Sequence, residues 1–92
     1  MEIILLTPTG VFYEGSAKLV VFPGVDGEFS VMDSHQPFMH ALKNGFIRIN
    51  GAFAVSKRAQ QGIRNVRGED IVKIRRGIVS MKRNKLSVLF EN

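Results

Sequence analysis

The sequence predicts an all-β domain, an antiparallel sandwich or barrel of about ten short strands. Three observations carry that expectation. Short apolar and β-branched runs follow one another along the 92 residues, turn residues separate them, and the final run places Leu86, Val88 and Phe90 on one face by period-two alternation. No comparable helical period interrupts the series.

The elements follow in order. Ile3 to Leu6 is stopped by Thr7-Pro8-Thr9-Gly10, a type I turn with Pro second and Gly fourth. Val11 to Tyr13 and Ala17 to Phe22 are strands parted by Glu14-Gly15. Phe22-Pro23-Gly24-Val25 reads as a type II turn, because Pro presets φ at the second position and Gly tolerates positive φ at the third. Asp26-Gly27 adds a second reversal before Phe29 to Met32. Phe38 to Leu42 precedes Asn44-Gly45, and Phe46 to Ile49 precedes Asn50-Gly51; both dipeptides signal hairpins. Ala52 to Val55, Ile71 to Ile74, Ile78 to Met81 and Leu86 to Phe90 complete the set. Phe12, Phe22, Phe29, Phe46 and Phe90 are the expected aromatic core. If Ala52 to Val55 pairs with Ile71 to Ile74, the interval Ser56 to Glu69 is a long hairpin tip, either a solvated extension or a functional basic contact.

A chain of this length makes one domain with one core. The absence of Cys excludes a disulfide scaffold and thiolate metal sites, and no apolar run approaches a membrane span. The N-terminal residues lack the basic flank and apolar stretch of a signal peptide, so the residues by themselves suggest a soluble cytoplasmic protein. Net charge is +5 and unevenly placed. Up to Ser56 three cations face five carboxylates, whereas Lys57 to Lys85 holds ten cations against Glu69 and Asp70. That second half suits an acidic partner, a nucleic-acid backbone or anionic headgroups.

Catalytic signals are thin. Asp33-Ser34-His35 contains the residue types of a serine triad, but consecutive residues on an extended chain point in alternating directions and cannot line up. Asp26, Glu28 and His35 offer oxygen and imidazole ligands without any ligand-spacing signature. The glycines fall singly at turns and form no phosphate cradle. No cofactor or metal is expected. His40 lies within a strand and reads as a wall residue, whereas His35 stands in a loop beside Pro37, where it either holds the loop by a backbone hydrogen bond or meets a partner.

Three strings carry a resemblance to a known family: TPTGVFYEG, then VVFPGVDGEFSVMDSHQPFMHALKNGFIRI, then RGIVSMKRNKLSVLFE. Together they resemble the N-terminal domain of the epsilon subunit of bacterial F-type ATP synthases over about Ile3 to Ser56 and Ile71 to Glu91. The GEF at Gly27 to Phe29, the His35-x-Pro37 pair and the Leu42, Gly45 and Ile47 positions recur in the family's order. The resemblance implies a ten-stranded antiparallel β-sandwich of two five-stranded sheets. It also implies a non-catalytic rotor subunit docked on the gamma subunit and the c ring, attached to the cytoplasmic face of the bacterial inner membrane only through that complex. Carried across by position, it implies that Glu28 and His35 are interface residues, with Asp26, Phe29 and Pro37 as neighbours.

This sequence departs from the family pattern at three places. The Pro-Gly before the histidine is Asp33-Ser34 here, and a Gly-Gly pair is Arg76-Gly77. The sequence ends at Asn92, before the two C-terminal helices that most members carry. A natural short form without that regulatory hairpin is the expectation, and with it no inhibitory role. The interval from 56 to 69 maps to no family motif; Lys57, Arg58, Arg64 and Arg67 are a candidate basic patch for acidic surface on gamma or for headgroups. Two rival readings are weaker. A small basic β-domain can bind single-stranded nucleic acid, but Lys57 to Lys85 has no Phe, Tyr or Trp to stack on bases. An enzyme needs a convergent nucleophile, base and oxyanion site, which no constellation supplies.

Overall fold

The computed structural model describes residues 1–51, 53–57 and 63–92, and the described chain is strand and turn throughout. Among the described residues eleven strands form: β1 Glu2–Thr7, β2 Gly10–Ser16, β3 Leu19–Gly24, β4 Gly27–Met32, β5 Phe38–Leu42, β6 Gly45–Asn50, β7 Phe53–Lys57, β8 Ile63–Val66, β9 Glu69–Ile74, β10 Arg76–Lys82 and β11 Lys85–Glu91. Each expected strand is present, and β8 is an additional one inside the polar interval.

The strands hydrogen-bond into one continuous curled sheet in the order β7-β2-β1-β11-β10-β5-β3-β6-β9-β8, with β4 branching from β3. Two separate five-stranded sheets are therefore not what forms. The continuity is narrow: β5 meets β3 at the single pair Gly24–Leu42, flanked by Val25 N–H donating to the Ala41 carbonyl (3.1 Å) and Lys43 N–H donating to the Pro23 carbonyl (2.8 Å). On either side of that seam the sheet folds over, as a sandwich does, and both halves supply one core. Ile3 and Leu5 of β1, Phe22 of β3, Ile47 and Ile49 of β6, and Leu86, Val88 and Phe90 of β11 are all buried in it. The pairing is also not wholly antiparallel, because β1 runs parallel to β11 from Glu2–Lys85 to Leu6–Leu89.

Alternation explains most of the core, and one bulge explains its exception. Leu5 pairs with Tyr13 and Leu6 with Val11, so Phe12 is the extra residue of a β-bulge. Consecutive Phe12 and Tyr13 thereby both turn inward. Phe12 sets its edge against Phe90 at 5.3 Å, and Phe22 stacks on Phe29 at 5.5 Å. Phe46 does not join them. With Ile47 and Ile49 fully buried, the same strand points Phe46 outward, where it is 53% exposed under the Lys73 ammonium.

Several turns differ from the sequence expectation. Pro23 and Gly24 belong to β3, and the chain reverses at Val25-Asp26 with Gly24 opposite Gly27. Proline is tolerated in this strand because its carbonyl, and hence its missing N–H, faces Lys43 rather than β4. Asn44-Gly45 joins β5 and β6, which follow one another along the edge of β3 opposite β4 and do not pair with each other. Gly45 is needed there for close approach, since a Cβ would sit 2.7 Å from the Pro23 Cβ. Nor does Asn50-Gly51 make a hairpin, because β7 pairs with β2. Two of the two-residue hairpins, Arg67-Gly68 (φ 52° and 82°) and Arg83-Asn84 (φ 53° and 60°), have the positive φ values of type I′. Accordingly Ala52 to Val55 does not pair with Ile71 to Ile74; β9 pairs with β6 and β8.

One charged side chain is buried among the described residues, Asp70 on β9. Tyr13 Oη donates to its Oδ2 at 2.9 Å and Asn65 Nδ2 to its Oδ1 at 2.9 Å. The Tyr13 bond joins the second strand of the sheet order to the ninth, and so pins one half of the folded sheet to the other.

Candidate docking groove

The loop after β4 is positioned from outside itself. Asn84, at the β10–β11 turn, accepts from the Ser34 N–H through Oδ1 at 2.7 Å and donates to Asp33 through Nδ2 at 2.9 Å. The Met1 amino group also meets Asp33 at 2.8 Å, and with Asn84 it holds that carboxyl below the usual carboxylate range. Ser34 takes φ 64°, the conformation that the family's glycine would adopt without strain. The loop then closes with His35 N–H donating to the Met32 carbonyl at 3.2 Å. These contacts use Asp33 and Ser34 as brackets and leave no triad geometry with His35.

A ladder of rings connects this loop to the core. His35 sets its edge against Phe38 at 5.1 Å, Phe38 against Phe29 at 5.8 Å, and Phe29 stacks on buried Phe22. His40 packs on Phe29 at 4.9 Å and is half-buried, as a strand wall residue. His35 Nδ1 lies 2.8 Å from the Gln36 carbonyl, so Nδ1 carries the proton in that contact and a neutral ring keeps Nε2 as an acceptor. This is the loop-holding bond that the sequence suggested, made by a ring that is still exposed.

Asp26, Glu28, Phe29 and His35, with Phe38 and His40, line a shallow groove of about 240 Å³. Four of the five residues named from the sequence thus meet at one place; Pro37 is exposed in the adjoining loop without lining the groove. Phe38 and His40 were missed, although alternation from Phe38 along β5 puts both on one face. Glu28 is exposed and paired with Arg48, Nη2 to Oε1 at 3.2 Å. Among the described residues no group of three His, Cys, Asp or Glu could hold a metal ion. Chemically the groove offers two carboxylates, two imidazoles and a ring floor, which suits basic and amide side chains of a protein partner better than bond chemistry.

The candidate basic patch is carried by more than one element. Arg64 is exposed on β8 and lines a second groove, and exposed Arg67 occupies the β8–β9 turn. Lys57 ends β7, where it pairs with Tyr13 of β2. Arg58 lies outside the described residues.

With this geometry in place, comparison with known proteins is decisive at one level. The family described as the ATP synthase delta/epsilon chain β-sandwich domain matches residues 1–92. The chain belongs to that family. The ATP synthase epsilon chain of Campylobacter lari is 47% identical over 45 residues, covering 49% of this chain and 35% of its own. That of Chlorobium limicola is 39% identical over 46 residues, 50% of this chain and 52% of the relative. The matched segments thus span a third to a half of these epsilon chains. A chain of the Tetrahymena thermophila mitochondrial ATP synthase central stalk and c-ring structure superposes with TM-score 0.67 at 16% identity, covering all of this chain and 63% of its own. That likeness shows a shared fold.

Proposed function

We propose that this chain is the non-catalytic sandwich of an F-type ATP synthase epsilon subunit, a rotor-stalk part that docks on the gamma subunit and on the c ring. In this role it couples ion translocation through the ring to ATP synthesis or hydrolysis, at the cytoplasmic face of a bacterial inner membrane. The family match along all 92 residues is the observation that carries the reading. The convergence of Asp26, Glu28, Phe29 and His35 on one groove supports their use in docking.

The mechanism asks for stiffness rather than chemistry. A coupling part must transmit torque without yielding, and the ring ladder from His35 to Phe22 fixes the groove to the core. The Asn84 bracket fixes the loop from the other side. Glu28 and His35 then meet polar loops of the ring as register-setting contacts, which govern orientation and partner choice more than affinity.

The reading is tested by reconstituting the purified complex with Glu28→Gln and His35→Ala together in this chain and measuring ATP-driven ion pumping against ATP hydrolysis. Hydrolysis that persists while pumping falls by roughly tenfold is the expected outcome. Unchanged pumping and unchanged assembly would remove the groove from the account.

A further inference from the structure

The outer face of β3, β6, β9 and β8 carries a second surface, which shares Glu28 with the groove of the rotor reading and is otherwise separate from it. Val21 pairs with Arg48, Arg48 with Ile71 and Ile71 with Arg64, so these four form one row across four strands. The neighbouring row, Ile47, Val72 and Ile63, faces the core. Lys43, Arg48 and Arg64 line a groove of about 470 Å³ with Phe46 and Ile71 as apolar wall and Glu28 at its edge. A groove of that size is large enough to take side chains of a partner.

We infer that this groove receives an acidic segment of a partner polypeptide, with carboxylates on Lys43, Arg48 and Arg64 and an apolar side chain against Phe46 and Ile71. Charge complementarity carries the choice: three cations face one carboxylate, and that carboxylate is already paired with Arg48. The cations are spread along an apolar wall, which fits a chain that presents acid and apolar groups in turn. A compact phosphate would need convergent donors or a backbone cradle, which the groove lacks among the described residues. A nucleic-acid strand would need free rings for successive bases, whereas Phe46 is the one aromatic on this groove and Lys73 lies over it at 5.9 Å.

Glu28 competes internally for Arg48, and this gives the surface an opposite-signed control. Removing cations weakens binding of an acidic segment, and removing the Glu28 charge strengthens it. The inference stands on side-chain chemistry and does not depend on the rotor assignment.

The probe is a synthetic peptide of alternating Glu and Leu, titrated into the isotope-labelled chain by NMR at several salt concentrations. An alternating Lys and Leu peptide, a single-stranded oligonucleotide, inorganic phosphate and anionic phosphatidylserine vesicles are run beside it. The expected result is shifts confined to Phe46, Arg48, Arg64 and Ile71, with affinity falling as salt rises. Arg48→Gln and Arg64→Gln each weaken binding roughly two- to fivefold, and Glu28→Gln strengthens it by a similar factor. These side chains are on the surface, and a thermal melt of each variant confirms folding. Equal binding of the Lys peptide, tighter binding of oligonucleotide, phosphate or vesicles, no binding, or affinity unchanged in all three variants would each overturn the inference.

Discussion

Tyr13 shows how much one side chain decides. Burial, and after it the Asp70 carboxylate 2.9 Å away, push its phenol well above the ordinary tyrosine range. A raised folded-state pKa contributes stability that is complete below the unfolded value near 10 and is lost as pH climbs beyond it. The folding equilibrium constant should therefore fall by roughly tenfold per pH unit above about pH 10 from this group alone. Tyr13→Phe should flatten that part of the slope, while costing about 1.5–3 kcal/mol near neutral pH by removing a donor from a buried carboxylate. Urea unfolding of both proteins from about pH 7 to 11 measures both effects. A second residue-scale contrast lies between Phe90 and Phe46. Phe90→Ala should cost about 3–5 kcal/mol, and Phe46→Thr should stay within about 0.5 kcal/mol, by thermal or urea unfolding. Phe46 could have been placed correctly from its own strand, since Ile47 and Ile49 flanking Arg48 already fix which parity faces inward. Tyr13 could not, because only the bulge at Phe12 turns two consecutive residues toward the core.

At the scale of elements, what the sequence makes legible is where the chain extends and where it bends, not which strand lies beside which. Strand positions follow from local alternation, and all ten expected strands are found. The two Asn-Gly pairs instead mark passages to other strands: Asn44-Gly45 carries the chain from β5 to β6 along one edge of β3, and Asn50-Gly51 leads to β7, which pairs with β2, relations set by how the sheet folds over and invisible in a local window. The type I′ turns use Arg67-Gly68 and Arg83-Asn84, in which Gly68 and Asn84 suit positive φ but Arg67 and Arg83 give no local signal for it. β8 was hidden because its run, Ile-Arg-Asn-Val, has a single inward apolar residue in Ile63 packed on the core. Within the docking groove, the turn residues and Glu28 and His35 were legible, while the support from Asn84, fifty residues from Ser34, was not. That support is testable. Asn84→Gly preserves the positive φ and deletes the bracket, so the Ser34 amide should exchange faster and stability should fall by about 0.5–1.5 kcal/mol. Hydrogen exchange read by NMR checks both statements; an unaltered Ser34 amide would show that the loop holds itself.

Among the described residues the strands form a single sheet that folds over, narrow at the Gly24–Leu42 seam and cross-tied by Tyr13 and Asp70. Because the seam has few backbone bonds, it is the shared core that holds the two halves together, as a stiff coupling part requires. Two grooves lie near each other and share Glu28: one acidic with imidazole, the other basic with an aromatic wall. The first serves the proposed rotor contact and the second remains for another partner. The most direct test places a photo-crosslinking amino acid at Glu28 in the assembled complex, with the same probe at exposed Val11 on the opposite half as control. The account predicts an adduct with a c-ring subunit from Glu28 and none from Val11; c-ring adducts absent at Glu28, or equal from both positions, would contradict it.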